Sequence, residues 1–424
     1  MTIVSDIEPA PLEDSVSEWL ALNSDSRLDR WDVYARLREE APIFDYGDQT
    51  FLSRHKDCVN ILRDHKTYLS GFDPEGERVM AVMASLDPEK QRKYREVLDH
   101  QLRWLTSSNA EKHVALRSLA TRVFSMRAIE NMRERIQREV DERLDELEPR
   151  DSIEIISEFA YQLPLTIISE MLDIPIEVRE SIHKSWQSMT QLIGNPPERV
   201  PEVIDTVHAG MAELESRLQH TFDTRRGQQT TDLLARLLDA ENDESGIITD
   251  KDIMGIVAQM VIAGHQTTQD TIGNALLELF GDRDQWRAIC EEPELIPNAV
   301  EEVLRLRSPG QMVNRISRTD TVIGEREIPA GTRLTCLLAS ANRDAAVFDD
   351  PDRFDIRREN ARQHLAFSSG VHFCLGASLS RMELQIFLET FSRRFPDADL
   401  ADSHVEWLPN NFLLGLKELH VRFR

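Results

Sequence analysis

One cysteine in this chain sits where a thiol can do chemistry. Residues 364–383 read HLAFSSGVHFCLGASLSRME: a loop carrying Ser368, Ser369 and Gly370 leads into Cys374, and Gly376 opens an amphipathic helix through Leu379, Met382, Leu384 and Phe387. A cysteine at a helix N-terminus meets unpaired backbone N–H groups and the positive end of the dipole, which favour thiolate over thiol. Small residues on either side let a flat, bulky cofactor approach the sulfur. Taken alone, such a cysteine is more simply an inert core residue; its neighbours change that reading.

The stretch resembles the haem-binding loop of the cytochrome P450 family, whose usual form is F-G-x-G-x-H-x-C-x-G. Here it reads Phe367-Ser368-Ser369-Gly370-Val371-His372-Phe373-Cys374-Leu375-Gly376. The resemblance implies that Cys374 is the metal ligand, the axial thiolate of haem b (iron protoporphyrin IX), with Phe367 and Gly376 in the loop around it. A thiolate pushes electron density onto iron and favours O–O cleavage. Ser368 replaces the first glycine, and because serine tolerates positive φ less well, a slightly different turn is expected.

A second motif lies in residues 249–280, a mostly apolar stretch that spans roughly 48 Å as a helix at ~1.5 Å per residue. Its polar interruptions argue against a membrane span. The centre reads Ala263-Gly264-His265-Gln266-Thr267-Thr268, similar to the family's A/G-G-x-D/E-T in the helix that passes over the haem. By that resemblance Ala263, Gly264, Gln266 and Thr267 are catalytic: Gly264 lets the backbone approach the bound ligand, and Thr267 helps deliver protons to dioxygen. The plainer role for Thr267 is a hydrogen bond to its own helix carbonyl. Gln266 departs from the pattern, since an amide cannot titrate where the family has an acid. Three explanations compete: water with Thr267 suffices, which we favour; His265 titrates in its place; or oxygen activation is diverted, as in peroxide use. Gln266→Glu separates them.

The same resemblance assigns further residues. His113 and Arg117, at i and i+4 on one helix face, match a His-x-x-x-Arg that holds haem propionates; Arg315 and His372 are expected to join them. Glu302 and Arg305 match E-x-x-R, and Pro351-Asp352-Arg353-Phe354 matches P-E/D-R-F, so Glu302, Arg305 and Arg353 are expected to form a buried structural network beneath the haem. Met83, Trp104, Met260, Met312, Val313 and Phe412 are candidate substrate contacts, with core packing an equal alternative for each.

The rest of the chain is read as support for these groups. Helices are expected over 31–40, 55–65, 110–126 and much of 127–241, with a hairpin at 42–54 and strands over 313–338. Residues 127–148 read as an exposed charged helix, and 175–226 as two helices forming a lid whose Trp186, Met189, Leu192 and Ile193 are apolar. The resemblance implies a mainly α fold with a small β-rich lobe: an N-terminal extension over 1–30 and a single haem domain over 31–424. The four cysteines show neither a C-x-x-C spacing nor a disulfide-rich pattern, and a formal charge of −25 argues against nucleic acid or an anionic membrane as partner. The acidic N-terminus, without an apolar anchor, suggests a cytoplasmic protein.

The expected activity is that of a haem-thiolate monooxygenase acting on a small organic substrate, in secondary metabolism among other settings, with dioxygen. Electrons are expected from a separate ferredoxin and ferredoxin reductase, steered by Arg117, Arg357, Arg358, Arg362 and Arg381. The alternatives are a peroxygenase or another specialised oxidation such as ring coupling or nitration, prompted by Gln266, and a haem protein that binds ligands without catalysis.

Overall fold

The structure, a computed structural model, describes residues 10–21, 29–71, 74–175, 178, 185, 188–189, 192, 197–225, 247–402 and 404–423. Its helices are α1 (Leu12–Leu20), α2 (Arg30–Glu40), α3 (His55–Arg63), α4 (Glu77–Ser85), α5 (Pro88–Gln101), α6 (Ala110–Val123), α7 (Met126–Leu147), α8 (Gln162–Met171), α9 (Val200–Arg225), α10 (Asp250–Gly281), α11 (Arg283–Glu291), α12 (Ile296–Leu306), α13 (Leu338–Ala341) and α14 (Ala377–Arg394). No helix among the described residues is long and apolar enough to cross a membrane.

Helix α10 is the axis of the molecule. Thr249 caps it in a reciprocal capping box with Asp252, satisfying two otherwise unpaired donors. A helix that is apolar around most of its circumference must be wrapped on all sides. Helices α8, α9, α12 and α14 and the single π-turn Ile156–Ala160 do so. The expected regular helix over this stretch is therefore present through its full 32 residues.

Helix α7 corrects the expectation of an exposed charged helix. Ile129, Ile136, Val140, Leu144 and Leu147 form a buried stripe that packs on α8 and α14; buried Glu139 at its edge is paired with Arg135 and Arg143. At the N-terminus, Val16 and Trp19 of α1 are buried, and Trp19 meets Tyr34 edge-on at 5.3 Å. A boundary at residue 30 thus cuts through a packed cluster. Of the two expected lid helices, α9 is observed; the first, with Trp186 and Ile193, lies outside the described residues.

The β-rich lobe is a five-stranded sheet built from β1 (Ile43–Tyr46), β2 (Gln49–Leu52), β3 (Tyr68–Ser70), β5 (Met312–Ser317) and β8 (Arg333–Leu337), in the order β1-β2-β8-β5-β3. The first two strands form the expected hairpin, turning at Gly47 with φ +60°. Strand β5 lies between β8 and β3, with Arg315 opposite Ser70 and Leu334. That register fixes where Met312, Val313 and Arg315 stand relative to the cysteine loop. The short strands β4 (Ser152–Glu154), β6 (Thr321–Ile323), β7 (Arg326–Ile328), β9 (Asp399–Leu400), β10 (Glu406–Trp407), β11 (Leu416–Glu418) and β12 (His420–Arg422) form small peripheral sheets.

Candidate haem site

The cysteine loop is closed by its own backbone. Cys374 N–H donates to the Phe367 carbonyl at 2.9 Å, Phe373 N–H to Gly370 at 3.1 Å, and Ser368 N–H to Leu365 at 2.8 Å. Gly370 has φ +74°, and a Cβ there would lie 2.4 Å from the Leu62 carbonyl, so the loop can press against α3 only with glycine. Ser368 also adopts a left-handed φ of +61°. Serine thus occupies a conformation that glycine adopts more readily, at some cost in strain. The Cys374 sulfur lies deep in the protein yet opens onto a cavity. Burial pushes its thiol up, against the backbone N–H groups of Gly376 and Ala377 and the charges of Arg117 and Arg381. Burial outweighs the helix terminus, so thiolate is the form that binding a metal would select.

Beside the sulfur stands a cluster of four bases that have no carboxylate partner among the described residues. The His113 and His372 rings are 4.2 Å apart; His372, Arg117 and Arg315 line the cavity, while His113 stands against His372 on a neighbouring surface that it shares with Arg117. Burial first, then Arg315, His113 and Arg117, hold His372 down at about 3; burial and the same arginines lower His113. Arg315, buried in β5, donates to the Asn314 carbonyl at 2.8 Å and to Ser70 Oγ at 3.4 Å. The buried His113 Nε2 has no hydrogen-bond partner among the described residues. Two arginines and two histidines so placed call for an anion. A flat cofactor with two carboxylates fits that demand on the same cavity floor that presents Cys374.

The cavity has a volume of about 520 Å³. Its roof is the face of α10 that carries Ile256, Gln259, Met260, Ala263, Gly264 and Thr267, a repeat of three or four residues that places them on one side of a helix. Gly264 makes the close approach to Ile168, 3.3 Å from where a Cβ would stand. Thr267 lines the cavity and also donates Oγ1 to the Ala263 carbonyl at 2.8 Å, so both of its expected environments are present at once. Gln266 and His265 do not line it. His265 Nε2 lies 3.0 Å from the Tyr161 carbonyl, and Gln266 Nε2 donates to Asp270 Oδ1 at 2.7 Å.

Of the candidate substrate contacts, Trp104, Met260, Met312, Val313 and Phe412 reach the cavity. Met83 does not: it is buried in the core on α4 and its carbonyl accepts from Gln91. Among the lining residues that escaped sequence reasoning, Gln259 and Glu383 carry polar groups into the site. Gln259 accepts from Leu105 N–H at 2.7 Å and donates to Thr106 Oγ1 at 2.7 Å, pinning the loop after α5 to the roof; its spacing of eight residues before Thr267 is the signal. Glu383, on the inner face of α14, is pushed up to about 8 by burial, opposed by a hydrogen bond from Thr268.

Beneath the cavity the arginine assignment changes. Glu302 and Arg305 are fully buried and paired at 2.7 and 2.8 Å, and Arg305 also donates to the Asn342 and Pro351 carbonyls. Arg353 contributes only its carbonyl, to Arg305 and Arg358; its side chain is exposed. The second guanidinium on Glu302 is Arg358, at 3.1 Å, bonded also to carbonyls of the 349–353 turn. Arg358 is consequently removed from the expected docking face. Arg381 pairs with Glu301 and Arg357 with Glu292, which leaves Arg362 the most exposed of the five.

A thiol open to a cavity whose wall carries Arg117, Arg315 and His372 and whose roof helix brings in Gly264 and Thr267 defines a haem-thiolate protein. The chain belongs to the cytochrome P450 family, whose pattern matches residues 189–417. It is 33% identical to cytochrome P450 107B1 of Saccharopolyspora erythraea, over 96% of this chain and 98% of that one. It is 31% identical to the cytochrome P450 monooxygenase PikC of Streptomyces venezuelae, over 95% and 93%. Among solved structures, epothilone D-bound cytochrome P450epoK superposes with a TM-score of 0.83 at 30% identity, over 93% of this chain and 96% of that one. The chain is thus an oxidoreductase, a P450 monooxygenase carrying haem b, that takes dioxygen, an organic substrate and electrons from a redox partner.

Proposed function

We propose that this enzyme inserts one oxygen atom of dioxygen into a small, largely apolar organic substrate of secondary metabolism, as a soluble cytoplasmic protein supplied by a separate ferredoxin and its reductase. The observation that carries the reading is the group of Arg117, Arg315 and His372 on the cavity floor beside Cys374, with His113 against His372. Thiolate-bound haem supplies the binding and two-electron splitting of dioxygen, one atom entering the substrate and the other leaving as water.

The protein's own groups have distinct tasks. Cys374 ligates the iron, with Gly376 and Ala377 N–H groups directed at its sulfur. His113, Arg117, Arg315 and His372 hold the two propionates. Trp104, Ile256, Met260, Met312, Val313 and Phe412 exclude water and orient the substrate. Thr267 Oγ1, by rotating away from the Ala263 carbonyl, presents a hydroxyl for proton delivery. On the cysteine side, Arg362 is placed to attract an acidic ferredoxin.

A peroxygenase or diverted oxidation draws its support from the amide at Gln266. It is the weaker reading, because a buried carboxyl, Asp270, stands one turn away and is bonded to that amide. Ligand-only binding is weaker still, since Thr267 lines the cavity. The test is a titration of the haem-loaded ferric protein with terpenes, polyketides, fatty acids and aromatic amino acids, followed by absorption. One class should drive the low- to high-spin change by displacing iron-bound water. If Cys374→Ser retains a thiolate-type spectrum, the ligand assignment fails.

A further inference from the structure

Asp270 is a buried carboxyl to which the activity described so far gives no task. It lies inside α10, three residues after Thr267 and four after Gln266, with 2% of its surface exposed. Gln266 Nε2 donates to its Oδ1 at 2.7 Å, and Oδ2 has no hydrogen-bond partner among the described residues. The backbone is cut away to admit it: a Cβ at Gly415 would lie 2.3 Å from Oδ1 and 3.0 Å from Oδ2. An isolated buried carboxyl is costly, and removing it is ordinarily easy for a sequence. This one is enclosed by a glycine fitted to it and tied to the amide beside Thr267.

We propose that Asp270 is the positioning and proton-holding residue of the roof helix, acting on the Thr267 turn through Gln266. The inference rests on the monooxygenase reading and moves the titratable group of that helix from position 266 to position 270. The neutral acid accepts the Gln266 N–H through its carbonyl oxygen and keeps its own proton in the helix behind Thr267. When it ionises, the Gln266 bond persists and strengthens, but the proton is gone and a negative charge remains one helical turn from the oxygen site. Burial pushes Asp270 up to about 8, with the Gln266 bond opposing, so the change falls near neutral pH. The titratable groups on the surrounding elements are His265 on α10, Glu158 and Tyr161 on and after the π-turn, Glu383 on α14, and Lys417 and Glu418 on β11. Glu278 on α10 is paired with Arg307. None of these is among the causes of the shift.

The test needs no substrate. Infrared difference spectra of the wild-type protein, titrated between about pH 6 and pH 9, should show a protonated-carboxyl band lost as pH rises. Asp270→Asn should remove one such band, while Glu383→Gln removes a separate one. Gln266→Leu should move the Asp270 band's titration to higher pH, because the bond it deletes favours the charged form. In the haem-loaded protein, the rate of air oxidation of the ferrous form should change across the same window, and Asp270→Asn should flatten that profile and alter the rate by roughly tenfold. Gly415→Ala, which displaces the carboxyl without deleting it, should reproduce the flattening. An Asp270 band absent throughout, or a pH profile identical in wild type and Asp270→Asn, overturns the proposal. Failure of the haem-thiolate reading would show separately, as a protein without the thiolate spectrum whose carboxyl band still titrates.

Discussion

The Arg381 guanidinium lies over the Phe367 ring, 4.5 Å from its centroid, and the same group grips Glu301 at 2.7 and 2.9 Å. One side chain therefore joins the first residue of the cysteine loop to helix α12 and, through Glu301, to His364 at 3.0 Å. It is also among the charges that favour the Cys374 thiolate. Arg381→Met preserves cover on Phe367 but removes the bidentate partner of a buried Glu301, leaving it His364 and the longer 3.8 Å contact with exposed Arg362, at a cost of about 3 kcal/mol. The reduced, CO-bound protein should show a smaller thiolate-ligated fraction than wild type, together with a lower urea midpoint.

Arg353 and Arg358 provide a sharper contrast. Arg353→Ala removes an exposed side chain and leaves the carbonyl that the network uses, so its effect should stay within about 0.5 kcal/mol. Arg358→Met deprives Glu302 of a charge partner and leaves the carbonyls of Asp349 and Asp350 without this donor, costing about 3–5 kcal/mol. Urea unfolding of the two variants measures the difference; equal losses would return the role to Arg353.

What the sequence made legible follows from how local each signal is. Cys374, Gly370 and the His113–Arg117 pair are tied to backbone spacing, so their type and order carried the site. On α10 the resemblance reached Ala263, Gly264 and Thr267, but the wider lining face with Ile256 and Gln259 was missed although its three-to-four residue repeat was there to read. Arg358 was not legible, because Arg353, Arg357 and Arg358 lie within six residues and only the tertiary turn decides which guanidinium points inward. Asp270 was hidden in an otherwise ordinary polar run, its meaning set by Gly415 from the far end of the chain. On α7 the dense acid–base pairing masked a readable apolar stripe from Ile129 to Leu147. Met83 failed as a contact because apolar character alone does not distinguish a cavity wall from a core.

Stability should depend on pH in two opposed ways. Burial disfavours an ionised Glu301, but His364 and Arg381 overcome it and hold the carboxyl at about 2. Its folded value is depressed, so its contribution is present above the unfolded value near 4.5 and is lost as pH falls toward 2. Asp270 and Glu383, raised to about 8, act oppositely: the unfolded chain ionises them first, so stability falls as pH rises from about 4 to 8. From these three groups stability should therefore be greatest near about pH 4, and Glu383→Gln should flatten the decline above it. Thermal midpoints of the two proteins across that range check this, and parallel curves would count against a buried neutral Glu383.

Ser368 and Gly370 share left-handed backbone conformations but differ in what surrounds them. At Gly370, φ is +74° and any Cβ would press on the Leu62 carbonyl and on Arg63 Cα, backbone atoms that cannot swing aside. Gly370→Ala should cost about 3 kcal/mol or more and push the loop off α3, so that haem retention falls along with stability. At Ser368, φ is +61° on a residue that carries a Cβ already, and its buried Oγ has no hydrogen-bond partner among the described residues. Ser368→Gly removes both the strain and the orphaned hydroxyl, against the entropy of a freer unfolded chain. The net gain should be up to about 1 kcal/mol, with haem affinity unchanged. Haem-transfer rates to apomyoglobin, measured beside urea midpoints, separate the two outcomes: a destabilised Ser368→Gly would mean that serine holds the turn through a contact of its own.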